Sequence, residues 1–409
     1  MIEQFINNGY SIVEFEKVAD IYVINTCTVT NMADRKSRQM LRKVKEKNKN
    51  AIVVACGCYA QVAKEELSKI PEIDVILGVN EKNHIVEFVE KYIKENEKEI
   101  TITDVMHQTE FLDFGTTAYT DKTRAVIKIQ DGCDRFCSYC IIPYARGHVR
   151  SRRVESIIKE METIAAEGIK EVVVTGIHIS SYGKDFKDGK SLIDLLEKMN
   201  EVKGIERIRL GSLEPTIITD EFVERLKKLE KICNHFHLSL QSGCNETLKR
   251  MNRRYTVEEF KKVANRLKNA YENVALTTDI IVGFPGETEE EFNKTYEYLK
   301  EIDFYKMHIF KYSQRKGTKA AIMPNQIDGN IKEERSKKLI SLSDENEKIH
   351  NQKYLGKELY VLFEEREGEY VKGHTTNYIM VKKKTEENLE NVIQKVKIDK
   401  IEGLTLISE

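Results

Sequence analysis

Three cysteines, Cys133, Cys137 and Cys140, fall in the phrase GCDRFCSYC, a C-x3-C-x2-C spacing within a chain of 409 residues that has eight cysteines in all. Three thiolates so close together can wrap one face of an iron–sulfur cluster and leave one iron without a protein ligand, open to a substrate or cofactor. A closed electron-transfer cluster or a structural zinc site ordinarily has a fourth Cys or His nearby, and His148 keeps zinc as an alternative. As purely structural residues, three loop thiols would be an oxidation liability.

Further cysteines close two other apolar runs, Cys27 in DIYVINTC and Cys56 and Cys58 in AIVVACGC. Cys233 and Cys244 have no such setting and are expected to be packed thiols. The N-terminus has no basic segment followed by an apolar core, and no apolar run reaches the roughly 18 residues a membrane span needs. A cytoplasmic protein is expected, where clustered cysteines are metal ligands or catalysts more often than disulfides. Lys and Arg total 66 against 67 for Asp and Glu, so any site for a polyanion has to be a local patch.

The elements that must position these residues can be read from periodicity. Residues 1–99 alternate short apolar runs with amphipathic stretches, the pattern of a parallel α/β sheet, whose ligands sit beyond the carboxyl ends of the strands. Cys27 and the Cys56/Cys58 pair both fall there. Residues 100–124 read as a linker. A second alternating set follows, AVIKIQ, KEVVVTG, IERIRLGS, HFHLSLQSG, VALTTDIIVGF and KMHIFKYS, with helical segments between them. Six repeated βα units predict a TIM-type (βα)6 barrel or partial barrel over 119–349, with an open doubly wound sheet as the alternative. Short β-rich runs over 352–409 predict a small C-terminal β-barrel.

The cysteine triad, with Tyr139 before its last cysteine and a βα barrel behind it, resembles the radical S-adenosylmethionine superfamily. The resemblance implies a 4Fe-4S cluster on Cys133, Cys137 and Cys140 whose open iron chelates S-adenosylmethionine, and reductive cleavage of that cofactor to a 5′-deoxyadenosyl radical. Cofactor contacts are then expected at strand ends, from Tyr139, Thr175, Gly176, Ser212, Glu214, Gln241 and Gly283, with Val282 and Phe284 as walls for adenine. Each of these also reads as an ordinary turn or cap residue.

The whole chain resembles the methylthiotransferase family, which joins a cysteine-bearing N-terminal domain, a radical core and a C-terminal TRAM barrel. INTCTVTNMADRKSRQ and CSYCIIPYARGHVRSR look most like the branch that acts on N6-threonylcarbamoyladenosine beside the tRNA anticodon. The resemblance implies a second 4Fe-4S cluster, of whose three N-terminal cysteines Cys27 and Cys58 match two. The family's first cysteine lies in an upstream glycine–cysteine segment. Either the chain is shortened there, or Cys56 stands in as third ligand, with a bend at Gly57 bringing both thiols inward. The implied partners are the tRNA anticodon loop, an electron donor such as flavodoxin or ferredoxin, and a sulfur donor, with the enzyme a monomer and no membrane involved. Other substrates, isopentenyladenosine in tRNA or a ribosomal protein, and a non-catalytic metal-containing RNA-binding protein are the alternative readings.

RNA contacts are expected from basic clusters. These are Arg35, Lys36, Arg38, Arg42 and Lys43 on the first long helix; Arg146, His148, Arg150, Arg152 and Arg153 after the cysteine loop; and Lys249, Arg250, Arg253 and Arg254. In the C-terminal barrel Lys372, Lys382, Lys383 and Lys384, with Tyr370 and Tyr378, form a further set. Phosphate contacts fix register while a single-stranded loop presents the base.

Overall fold

The computed structural model describes residues 1–113 and 123–409; the stretch 114–122, which holds part of the expected linker and the expected start of the radical core at residue 119, lies outside the described residues. Chain contacts divide the protein into two compact units. The first joins the N-terminal domain to two distant pieces of chain, Gly132–Arg150 and Ser313–Ile322, and the second holds the rest of the barrel and the C-terminal strands.

In the first unit four parallel strands lie in chain order, Ile21–Thr26, Ile52–Gly57, Val75–Leu77 and Glu99–Thr101. The last of these converts the start of the expected linker into a sheet edge. Alternation along Ile52–Gly57 decides which layer each side chain enters. Val53 and Ala55 pack with Leu41 and Val44 of the helix Asn31–Lys47. Val54 and Cys56 face the other way, onto Ile85, Val86 and Val89 of the helix Ile85–Glu95. Thr30 caps the first of these helices by accepting a hydrogen bond from the Ala33 amide, which fixes where the chain turns after Cys27.

The second unit carries the barrel strands Arg124–Asp131, Glu171–Gly176, Arg207–Leu210, His235–His237, Ala275–Val282 and Lys306–Lys311, parallel and in sequence order. Hydrogen bonding thins between the third and fourth, where single bridges Ile208–Ile232 and Leu213–Leu238 replace a continuous ladder. Among the described residues the strand Lys306–Lys311 pairs on one side only, so the barrel is partial. Helices cover it with apolar stripes, as in Val154–Ala166, where Ile157, Met161 and Ile164 recur at helical spacing and are buried.

A long helix, Gly329–Gln352, leads to a six-stranded C-terminal sheet that is antiparallel except where Met380–Lys384 runs parallel to Thr405–Ser408. This sheet docks on the N-terminal ends of the barrel strands through buried charge. Arg209 pairs with Glu171 at 2.8 Å and donates to the Thr375 and Thr376 carbonyls, while Arg207 donates to the carbonyls of Tyr360 and His374. Tyr378, expected to grip RNA, instead stacks against His235 and His374, with ring centroids 5.0 and 4.6 Å away and Arg209 over its face. That expectation is corrected: the ring is held in the docking contact.

Candidate functional site

The parallel register Thr26–Gly57 brings Cys27 and Cys58 one step beyond the same edge of the N-terminal sheet, Cys58 as the first residue of the helix Cys58–Val62. Gly57 makes that turn with φ +102°, and a Cβ there would stand 2.6 Å from the Thr26 carbonyl oxygen. Thr26 locks the crossing: its hydroxyl donates to the Cys56 carbonyl at 2.7 Å and accepts from the Ala60 amide at 3.2 Å. Cys27 is exposed and Cys58 partly so. The stand-in role expected for Cys56 is corrected. Residues two apart share a face only while the strand stays extended; the turn at Gly57 takes Cys58 out of the sheet and leaves Cys56 fully buried, where burial pushes its thiol up.

The triad loop is folded onto itself in the same unit. Gly132, at φ +71°, lies so close to the following chain that a Cβ would meet the His148 carbonyl oxygen at 1.7 Å. The Cys133 amide donates to the Gly147 carbonyl at 3.0 Å, and the Cys140 amide to that of Cys137 at 2.9 Å. All three thiols are partly exposed and none is in a disulfide. His148 Nδ1 lies 2.6 Å from Asp134 Oδ1, so the imidazole is turned to a carboxylate. Among the described residues no group of three or more His, Cys, Asp and Glu side chains has the spacing of a single metal-ion site. Three thiols on one loop, with His148 engaged elsewhere, are a donor set that fits a 4Fe-4S cluster with one open iron better than zinc.

Two contacts tie the cysteine regions together. Arg146, last residue of the helix Ile142–Arg146, donates from Nε to Cys58 Sγ at 3.1 Å. The segment Ser313–Ile322 spans both loops. At one end Arg315, buried, donates to Asp34 at 2.6 Å, Asn31 at 2.8 Å and the Thr28 hydroxyl, while Asn31 Nδ2 donates to the Gln314 carbonyl at 2.7 Å. At the other, the Ala320 amide donates to the Ser138 carbonyl at 2.7 Å, between Cys137 and Cys140. Reading along the sequence missed both arginine contacts.

In the second unit several strand ends converge. Gln130, wholly buried, receives the His178 amide on its side-chain oxygen at 2.7 Å, and its carbonyl lies 2.9 Å from where a Cβ on Gly176 would be. His178 Nε2 lies 3.4 Å from Glu214, the Arg253 guanidinium 3.9 Å from the same carboxylate, and Arg253 also donates to the Ser239 carbonyl. Gln241 takes φ +72° and bridges to the strand Ala275–Val282, its amide on the Asp279 carbonyl. Thr175 is half-buried beside Lys128, and Ser212 is exposed. Gly283 lies apart from these contacts, its amide on Glu287 and the Lys332 side chain over its α-carbon. Val282 and Phe284, expected as adenine walls, are core residues, Phe284 against Tyr312. Gln130 and His178 escaped the sequence reading; the signal was a polar residue late in AVIKIQ, directly before the triad.

Several expected RNA contacts are corrected because the side chains are spent internally. Arg150 is 1% exposed and donates to the Arg146 carbonyl, Arg152 is paired with the buried Glu160, and Arg253 is 8% exposed at its side chain. Arg250 pairs with Glu291, Lys382 with Glu367 and Lys383 with Gln394, but these three stay partly exposed and remain expected RNA contacts. Arg153 remains exposed, over the Phe186 ring, as do Arg35, Lys36, Arg42 and Lys43; Arg38 bonds Tyr59 and Glu66.

The chain matches the Radical SAM superfamily over residues 127–299 and the Uncharacterized protein family UPF0004 over residues 1–78. A threonylcarbamoyladenosine tRNA methylthiotransferase MtaB of Bacillus subtilis is 44% identical over 95% of this chain and 88% of its own length. The protein of the same name from Aquifex aeolicus is 42% identical over 93% and 91%. A tRNA-2-methylthio-N(6)-dimethylallyladenosine synthase of Caldicellulosiruptor saccharolyticus is 40% identical over 87% and 76%. Among solved structures the radical S-adenosylmethionine methyltransferase TsrM of Kitasatospora setae shares the fold, with a TM-score of 0.55 at 17% identity over 75% of this chain and 64% of that one.

Proposed function

From the premise that this chain belongs to the radical S-adenosylmethionine methylthiotransferase family, which the 44% identity across 95% of its length establishes, we propose that it converts N6-threonylcarbamoyladenosine beside the tRNA anticodon to the 2-methylthio nucleoside. The observation that carries this reading is the gathering of Cys27, Cys58 and the Cys133/Cys137/Cys140 loop into one compact unit. Insertion of sulfur at an unactivated aromatic carbon needs both a radical and a sulfur source, and the two thiol sets answer to those needs.

Cys133, Cys137 and Cys140 would hold the radical 4Fe-4S cluster, and Cys27 and Cys58 would contribute to the second. Bound there with S-adenosylmethionine, these groups would supply the radical chemistry that activates adenine C2 and the sulfur and methyl group that end on it. The protein's own part is placement. Gly132 and Gly147 close the triad loop backbone to backbone. Within the second unit Glu214, buried between His178 and Arg253, offers a carboxylate for the cofactor's amino group, with the Gly176 edge, Gln241, Thr175 and Ser212 as further polar groups at the strand ends. Phosphate contacts fall to Arg35, Lys36, Arg42, Lys43 and Arg153, whose positive ends are exposed.

With tRNA as substrate the proposed place of work is the cytoplasm, and the same proposal has the enzyme act as a monomer with a small electron-transfer protein and a separate sulfur donor. Among the described residues no helix is long and apolar enough to cross a membrane. The test is anaerobic reconstitution with iron and sulfide, then incubation with tRNA bearing either modified adenosine and mass analysis of the digested nucleosides. Methylthiolation of the threonylcarbamoyl form alone is expected; methylthiolation of the dimethylallyl form alone would overturn the assignment in favour of that activity.

A further inference from the structure

We infer that Arg146 is a positioning residue for the auxiliary cluster, its guanidinium hydrogen-bonded to the Cys58 sulfur and raising the reduction potential of the centre that Cys58 ligates. The inference rests on the reading that Cys27 and Cys58 are cluster ligands. By its place in a basic run of sequence, this arginine is expected to bind phosphate. The fold directs it elsewhere, because the helix Ile142–Arg146 packs on the helix Cys58–Val62 and Arg146 Nε points at Cys58 Sγ from 3.1 Å.

The arginine is held there from behind. Gly147 caps its helix by donating to the Pro143 carbonyl at 2.8 Å. It does so at φ +73°, so near Val105 that a Cβ would meet that residue's carbonyl oxygen at 2.0 Å. The buried Arg150 guanidinium donates to the Arg146 carbonyl at 2.8 Å. The Gly147 carbonyl in turn accepts the Cys133 amide. Two consecutive residues therefore touch both thiol sets, Arg146 by its side chain and Gly147 by its backbone.

A cluster that gains one electron gains negative charge, shared with its thiolate sulfurs. A cation donating an N–H to one of those sulfurs stabilises the reduced form more than the oxidised one, and so raises the potential. Partners of this kind, one shell beyond the ligands, also orient the ligand itself.

The test isolates the auxiliary centre in the full-length chain by combining Cys133→Ala, Cys137→Ala and Cys140→Ala, reconstitutes it, and titrates it with dithionite under an electron paramagnetic resonance readout. Adding Arg146→Met is expected to shift the one-electron reduction equilibrium about tenfold toward the oxidised form, with altered g-values, and Arg146→Lys by less because it keeps the charge. Equal potentials in all iron-loaded variants would overturn the inference. If Arg146→Met takes up no iron, Arg146→Lys decides, and an unchanged potential and spectrum in it would overturn the inference equally. If the triple cysteine variant with Arg146 intact takes up no iron at all, the ligand reading itself fails and the inference falls with it.

Discussion

Arg315 donates to Asp34 at 2.6 Å across 281 residues of sequence, and both side chains are buried. The pair pins the turn that follows Cys27. Removing the arginine alone strands a buried carboxylate, so Arg315→Ala is expected to destabilise the first unit by about 3–5 kcal/mol. Urea unfolding measures the loss, and Arg315→Ala combined with Asp34→Ala should recover part of it. Equal midpoints for wild type and the single variant would contradict the role given to this pair.

The two thiol sets separate by their products. Cys133→Ala is expected to abolish reductive cleavage of S-adenosylmethionine, whereas Cys27→Ala and Cys58→Ala should still form 5′-deoxyadenosine and make no methylthio nucleoside. Chromatography of both products from one anaerobic reaction distinguishes them. Cys56→Ala should leave iron content unchanged and cost about 1 kcal/mol of stability, because its thiol is packed in the core.

Gly132→Ala tests the closure of the triad loop. Its φ of +71° and the 1.7 Å approach to the His148 carbonyl leave a methyl group no room without backbone movement. Iron bound by the triad should fall severely while the circular dichroism of the folded chain is kept. Full iron loading in this variant would show that the loop needs no such closure.

His235 gives the fold a pH dependence. Burial, with Arg209 close by, holds its imidazole well below the usual value of 6.5. The unfolded chain takes up that proton near 6.5 and the folded chain does not, so unfolding binds protons and stability falls as pH drops below about 6.5. Urea midpoints at about pH 7.5 and pH 5.5 should differ, and His235→Gln should narrow the difference; an unaltered difference would assign the effect to other groups.

The barrel strands were legible because each is a short apolar run closed by polar turn residues, and the triad because its three cysteines are neighbours in sequence. The strand before Cys27 was legible for the same reason. What escaped was decided by partners far away in the chain. Arg150 and Arg152 look like an RNA patch in ARGHVRSRR until the Arg146 carbonyl and Glu160 claim them. Tyr378 looks like a stacking platform until His235, distant in sequence, covers one face of it. Cys56 differs from Cys58 only through one glycine with positive φ, a conformation that composition and periodicity do not reveal.

The strap Ser313–Ile322 also orders events in time. Both cysteine loops of the first unit lean on it, yet it leaves the ribosome only after five further barrel strands, from Glu171 to Lys311, have been made. Contacts spanning so much chain form late, because the intervening loop must be ordered before they repay its entropy. During synthesis the frame around the N-terminal thiols is therefore expected to close only once the barrel strands have been made. On that order of events iron–sulfur assembly is expected to follow the barrel, after a stage in which the cysteines of the nascent chain need a reducing environment or a carrier.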